Sequence, residues 1–174
     1  MLSSPAIDPA IRLLVDADLA PAAALLRRAA LDFILHESTE AGARDFLARH
    51  GEEGLRANIA AGFVYHGALV EGELAGFIGM RERSHVFHLF VGGRWQRRGI
   101  ARRLWQHARA VAIDAVGRPA HPGVFTVNAS NHALPFYASF GFVRTAPMQV
   151  AAVPYNPMRF EPVPGAASIL VAPA

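Results

Sequence analysis

The chain has 174 residues, enough for one domain with its own core and too few for two of ordinary size. Hydrophobic residues make up 52% and charged residues 18%, which excludes an intrinsically disordered chain. There is no Cys, which excludes disulfides, thiolate-held zinc, iron–sulfur clusters and a thiol nucleophile, and all 17 basic residues are Arg, which excludes lysine Schiff-base chemistry and a P-loop lysine.

The first residues, Met1 to Pro5, carry neither a basic nor an apolar leader pattern, and no apolar run approaches the roughly 20 residues of a membrane span. A soluble cytoplasmic protein with no membrane partner is expected. Residues 11–15 form a short apolar run and read as the first strand. Asp16 and Asp18 then offer N-caps to a helix over residues 18–35, with Leu19, Ala22, Leu26, Ala29 and Phe33 on one stripe. A second helical stretch covers 40–61 and breaks near Gly51. Strands at 63–70 and 74–81 flank Glu71-Gly72-Glu73, a hairpin signal. Residues 85–91 form another strand, which Gly92-Gly93 ends.

Residues 99–116 give the clearest helical period, with Ile100, Leu104, Ala108 and Val111 on one face and Gly117 and Pro119 as its stop. A strand at 124–128 follows. Ser130 is placed to cap a short helix over 131–140 that Gly141 closes. Two last strands are expected at 142–149 and 151–160, and residues 163–174 read as a loose tail after a single domain spanning 1–162. The order β α α β β β α β α β β predicts an α+β fold: a mixed, mostly antiparallel sheet with helices on both faces.

The charge is uneven along the chain. Residues 1–82 hold 12 acids and 7 Arg, a balance of −5, whereas residues 83–174 hold 2 acids and 10 Arg, a balance of +8. No acid occurs from 83 to 113, and six Arg fall between Arg94 and Arg109. Such a region suits an anion, either a nucleic acid or a phosphorylated small molecule. The loop Gln96-Arg97-Arg98-Gly99-Ile100-Ala101 joins a strand to the start of the acid-free helix. The opening N–H groups of a helix have no intrahelical partner and sit at the positive end of its dipole, so this loop reads as an anion cradle to which Arg97 and Arg98 add formal charge. The pattern [QR]-x-x-G-x-[GA] turns up by chance in roughly one chain in five of this length, so its context decides. That context includes Ala133-xxx-Tyr137-xxx-Gly141-Phe142 after the next strand.

At these residues the sequence resembles the GCN5-related N-acetyltransferase (GNAT) superfamily, over roughly residues 11–160 and most specifically at 89–104 and 127–142. The resemblance implies a twisted sheet of six or seven strands whose central strand 85–91 splays from its neighbour. It implies that Gln96, Arg97, Arg98, Gly99, Ile100 and Ala101 hold the pyrophosphate of acetyl-CoA, and that the backbone of Leu89, Phe90 and Val91 pairs with the pantetheine arm as an added strand would. It further implies direct acetyl transfer to an amine of a small molecule or protein. Tyr137 would be the general acid for the leaving thiolate, and His85 or a water the base. Many relatives carry Asn seven residues before the tyrosine. That position is Ser130 here, with Asn128 and Asn131 beside it, and all three are candidates to touch the cofactor. No metal is expected, and a homodimer is one assembly the chain allows.

Plainer readings stand beside these. Tyr137 also fits a packing tyrosine like Phe136 and Phe140, and His85 a core histidine. Strand alternation sends His88 to the face opposite His85. His36, His50, His66, His107, His121 and His132 lack metal spacing and read as structural or surface residues. Arg102 and Arg103 fit a solvated helix face. Asp32, Glu37 and Glu40 would attract a cationic amine if they lined an acceptor pocket. Two rival functions follow: a non-catalytic acyl-CoA-binding module, and nucleic-acid binding through the Arg helix. No nucleic-acid motif accompanies Trp95 and Trp105, so a nucleic-acid partner is not expected.

Overall fold

The computed structural model describes residues 8–162. Its elements in chain order are β1 (Ala10–Leu13), α1 (Asp16–Phe33), α2 (Glu40–Arg49), α3 (Glu52–Ala60), β2 (Val64–Val70), β3 (Glu73–Arg81), β4 (His85–Val91), α4 (Ile100–Ile113), β5 (Phe125–Ala129), α5 (Leu134–Ala138), β6 (Val143–Arg144) and β7 (Asn156–Phe160). The strands form one sheet in the order β1-β2-β3-β4-β5-β7-β6. Every neighbouring pair is antiparallel except β4 with β5, which run parallel. The expected mixed sheet with helices on both faces is therefore present. The expected tail lies outside the described residues.

Each face of the sheet has its own core. On one side α1 and α3 bury Leu19, Leu26 and Leu55 against Tyr65 and Phe77. On the other, α4 buries Ile100, Leu104 and Trp105 against Val86, Phe125, Val127 and Phe142. This follows from the two sequence periods: apolar residues at helical spacing on α1 and α4 meet apolar residues that alternate along β2 to β5.

Several local expectations need correction. Asp18 does not start α1 but sits in its first turn, where its carboxylate accepts from the Val15 amide at 2.8 Å and pairs with Arg12 at 2.6 Å. The Arg12 hydrogen bond is the main cause that holds the Asp18 carboxyl below its ordinary pKa. Ser130 is not the N-cap of α5; Ala133 holds that place, although Ser130 Oγ accepts from the Ala133 amide at 3.3 Å. The two long final strands shrink to β6 and β7. Pro147 and Pro154 lie in the stretch between them, where a residue without an N–H cannot keep a ladder going.

β4 carries one bulge. Gly79 pairs with His88 and Met80 with Val86, so Phe87 has no partner across the ladder. The extra residue reverses the side-chain parity on one side of it. Val86 packs into the α4-side core, whereas His88 rings with Tyr65, Phe77 and Phe90 on the α1 side. His85 reaches Thr126, whose neighbours Phe125 and Val127 belong to the α4-side core, so His85 also faces the α1 side. The two histidines therefore share a face, against the alternation read from the sequence.

Gly79 serves this packing. A Cβ built there would lie 2.3 Å from the Tyr65 ring, which covers the glycine across the β2–β3 ladder. Gly79→Ala is expected to destabilise the protein by about 1–3 kcal/mol through overpacking. In urea unfolding this appears as a lower midpoint at unchanged slope; an unchanged midpoint would mean that the Tyr65 ring gives way freely.

Candidate functional site

The site begins where β4 and β5 part. Although β4 has seven residues, it pairs with β5 only at His85–Thr126 and Val86–Val127. Beyond that point the strands open into a cavity of about 640 Å³. Leu89, Phe90 and Val91 of β4 line one wall, and Asn128, Ala129 and Ser130 the other. The β4 backbone on this side carries N–H and C=O groups that no strand takes up, so the opening is an internal sheet edge.

At the end of β4 the chain enters the loop that leads to α4. Gln96 Nε2 donates to the Val91 carbonyl at 3.2 Å, which closes the strand end. Arg97 and Gly99 then take left-handed backbone, with φ of 61° and 80°. Gly99 is the N-cap of α4 and has no atom within 4 Å of where a Cβ would stand. Its conformation, not crowding, calls for glycine there. Among the described residues the amides of Arg97, Arg98, Gly99, Ile100, Ala101 and Arg102 have no acceptor within the protein. Six open N–H groups at the positive end of a 14-residue helix make a main-chain nest for an anion.

The Arg side chains divide. Arg97 and Arg102 line the cavity. Arg94 is drawn to Glu73 and lies over Trp95, and Arg103 pairs with Asp8 at 2.5 Å. Arg98 sits 5.6 Å over the Trp95 ring and is not part of the cavity wall. Arg102, read from the sequence as a solvated position, is exposed, and its guanidinium lies 4.8 Å over Phe140 at the cavity edge.

Of the other expected site residues, Gln96, Gly99, Ile100, Ala101, Asn128, Ser130, His85 and Tyr137 all line the cavity, and Asn131 does not. Asn131 is held by Asn156 Nδ2 at 2.8 Å and itself donates to Glu37 at 2.6 Å. Tyr137 is 5% exposed; its ring packs on Phe136 and Phe142, and no partner for its hydroxyl occurs among the described residues. Burial pushes the Tyr137 phenol up. His85 Nδ1 is 2.8 Å from Thr126 Oγ1, and burial, with the Arg81 charge second, pulls its pKa down.

The structure adds a polar chain that single-sequence reading missed. Asn58 Nδ2 donates to the Tyr65 hydroxyl at 3.1 Å, Tyr65 stands 3.0 Å from His88 Nδ1, and His88 Nε2 stands 2.8 Å from His50 Nδ1. His50 and His88 both line the cavity. Burial pulls His50 down to about 4 and His88 well below its ordinary value, and it pushes Tyr65 up to about 12. The sequence held one clue: Phe46 and His50 are four residues apart and so share a helix face. Nothing local marked the contact between residues 50 and 88. Asp32 and Glu40 are paired with Arg28 and Arg44 on their own helices and, like Glu37, do not line the cavity.

Among the described residues no cluster of three His, Cys, Asp or Glu side chains could hold a metal, and no helix is long and apolar enough to cross a membrane.

Comparisons with known proteins point the same way. Among solved structures, a GCN5-related N-acetyltransferase from Rhodopseudomonas palustris superposes with a TM-score of 0.72 at 20% identity, covering 91% of this chain and 99% of that one. The PaiA N-acetyltransferase of Thermoplasma acidophilum, solved with coenzyme A, also reaches 0.72 at 15% identity over 89% and 99% of the two chains. An aminoglycoside 6′-N-acetyltransferase, also solved with coenzyme A, gives 0.62 at 13% identity over 86% and 95%. No curated protein sequence matches significantly. These likenesses are of fold. The family model described as an acetyltransferase (GNAT) domain matches residues 34–162, most of the chain including the nest, both walls of the cavity and Tyr137. The chain belongs to the GNAT acetyltransferase family.

Proposed function

We propose that the protein is an acetyl-CoA-dependent N-acetyltransferase that moves an acetyl group directly from the thioester to an amine. The observation that carries this reading is one continuous cavity. It runs from the open amides at Gly99 along the unpaired edge of β4 to Tyr137 and the histidines. A diphosphate suits the nest, since the loop and the start of α4 carry amides without an acceptor, the helix dipole is positive there, and Arg97 and Arg102 supply formal charge. The free β4 edge suits an amide-bearing arm, which would pair with it as a strand does. Arg98 then acts through its charge and its contact with Trp95, not as a wall of the pocket.

In the proposed step the amine nitrogen attacks the thioester carbonyl. The N–C bond forms and the C–S bond breaks. The proton lost from nitrogen passes to His85 or to water, and the leaving thiolate takes the phenol proton of Tyr137, which solvent restores. Burial keeps Tyr137 protonated throughout the working pH range. The same burial raises the proton affinity of a thiolate formed beside it, which supports the transfer. His85 suits the acceptor role because its lowered pKa leaves it neutral at pH 7 and Thr126 fixes its ring.

Tyr137→Phe is expected to lower kcat by about 10²–10³-fold while calorimetry gives an unchanged Kd for coenzyme A. Equal kcat would remove Tyr137 from its role, and a chain that binds coenzyme A but never releases thiol with any amine would be a binding module. Gly99→Val forces a β-branched residue into left-handed backbone and is expected to weaken coenzyme A by at least about 10-fold, the equivalent of 1.4 kcal/mol. For His85 the sign is set by its lowered pKa. The neutral form is the active one, so kcat/KM falls only as pH drops through a value below the ordinary 6.5 or so. His85→Gln removes that acid limb with coenzyme A affinity unchanged; a limb that persists in the variant assigns it to another group.

A further inference from the structure

The acceptor end of the cavity is built from phenyl and imidazole rings. Phe33 stacks on His132 with centroids 4.3 Å apart. Phe46 packs on His50 at 4.2 Å, and His50 on Phe87 at 5.8 Å. All five residues line the cavity. None of the described residues in its wall is Asp or Glu; its formal charges are those of Arg97 and Arg102.

A cationic acceptor meets no carboxylate on the cavity wall. Asp32 and Glu40 are engaged by arginines, and Glu37, bonded to Asn131, stays outside the wall. The buried polar chain supplies no counter-charge either: Asn58, Tyr65, His88 and His50 hydrogen-bond in series, and none of the four is an acid.

Resting on the acetyl-transfer reading, we propose that the acceptor is an uncharged, weakly basic amine with an aromatic body, an arylamine, seated among Phe33, Phe46 and Phe87. An arylamine is a free base at neutral pH, with its lone pair ready to attack. An alkylamine with the lysine value of about 10.4 is a free base in only about one molecule per thousand at pH 7.4, and here no carboxylate helps it enter. The ring walls stack on the body of the acceptor while the nitrogen reaches toward β4.

The test measures thiol release from acetyl-CoA by the full chain at pH 7.5 with p-anisidine, benzylamine, spermidine and kanamycin, alongside coenzyme A calorimetry. The expected order places p-anisidine at least about 100-fold above spermidine and kanamycin in kcat/KM. Phe33→Asp supplies the missing carboxylate. It is expected to lower the p-anisidine value about 10-fold and raise the spermidine value, with the coenzyme A Kd unchanged as a check on folding. Phe46→Asp is the second variant should Phe33→Asp lose coenzyme A binding. Normal coenzyme A binding with spermidine or kanamycin equal to or better than p-anisidine overturns the arylamine assignment alone. Absence of coenzyme A binding overturns the acetyl-transfer reading beneath it as well.

Discussion

The site depends on two strands that decline to pair. Parallel neighbours normally continue their ladder, yet β4 and β5 hold each other at two positions and then separate. The cost is a row of unfilled backbone groups inside the fold, which a protein tolerates only where something else takes them up or water reaches them. The two cores stabilise the arrangement from outside. α1 and α3 pack one face, α4 and Phe142 the other, and the two strands beside the gap, β4 and β5, are held on their far sides by β3, through a ladder with one bulge, and by β7. The gap is therefore framed by regular elements on both sides.

The electrostatics divide along the same line. The Arg-rich stretch that looked uniform in the sequence is sorted by the fold into two groups. Arg97 and Arg102 face the cavity, whereas Arg94, Arg98 and Arg103 are occupied by Glu73, Trp95 and Asp8. Positive potential is thus concentrated at the nest, where the backbone already presents its amides. At the other end burial holds three histidines neutral. One cavity therefore has a cationic end and an uncharged end.

What could be read from the chain alone follows from the range of the interactions. The strand, loop and helix around Gly99 were legible because a glycine-bearing loop between an apolar strand and an acid-free amphipathic helix is a local signal. The place of Tyr137 on the cavity wall was foreshadowed only through the family resemblance at Ala133-xxx-Tyr137-xxx-Gly141-Phe142. The shared face of His85 and His88 was not, because one bulged residue at Phe87 undoes the count by twos, and a bulge leaves no mark in composition. The contact of His50 with His88 spans 38 positions and exists only once α2 folds over the sheet. Asp32 and Glu40 stay on the solvated helix surface, where their own i, i+4 arginines satisfy them and nothing draws them inward.

The anion site proposed at the main-chain amides would have a consequence for how such a molecule can change over time. The contact is written in conformation and needs few particular side chains, so most substitutions along the loop leave it standing provided position 99 keeps its left-handed turn. The opposite end is assembled from side chains borrowed from α1, the end of α2, β4 and the stretch before α5. Drift there alters the lining without disturbing the anchorage. The two ends can therefore evolve at different speeds, one conserved as a shape and the other free to be rewritten residue by residue.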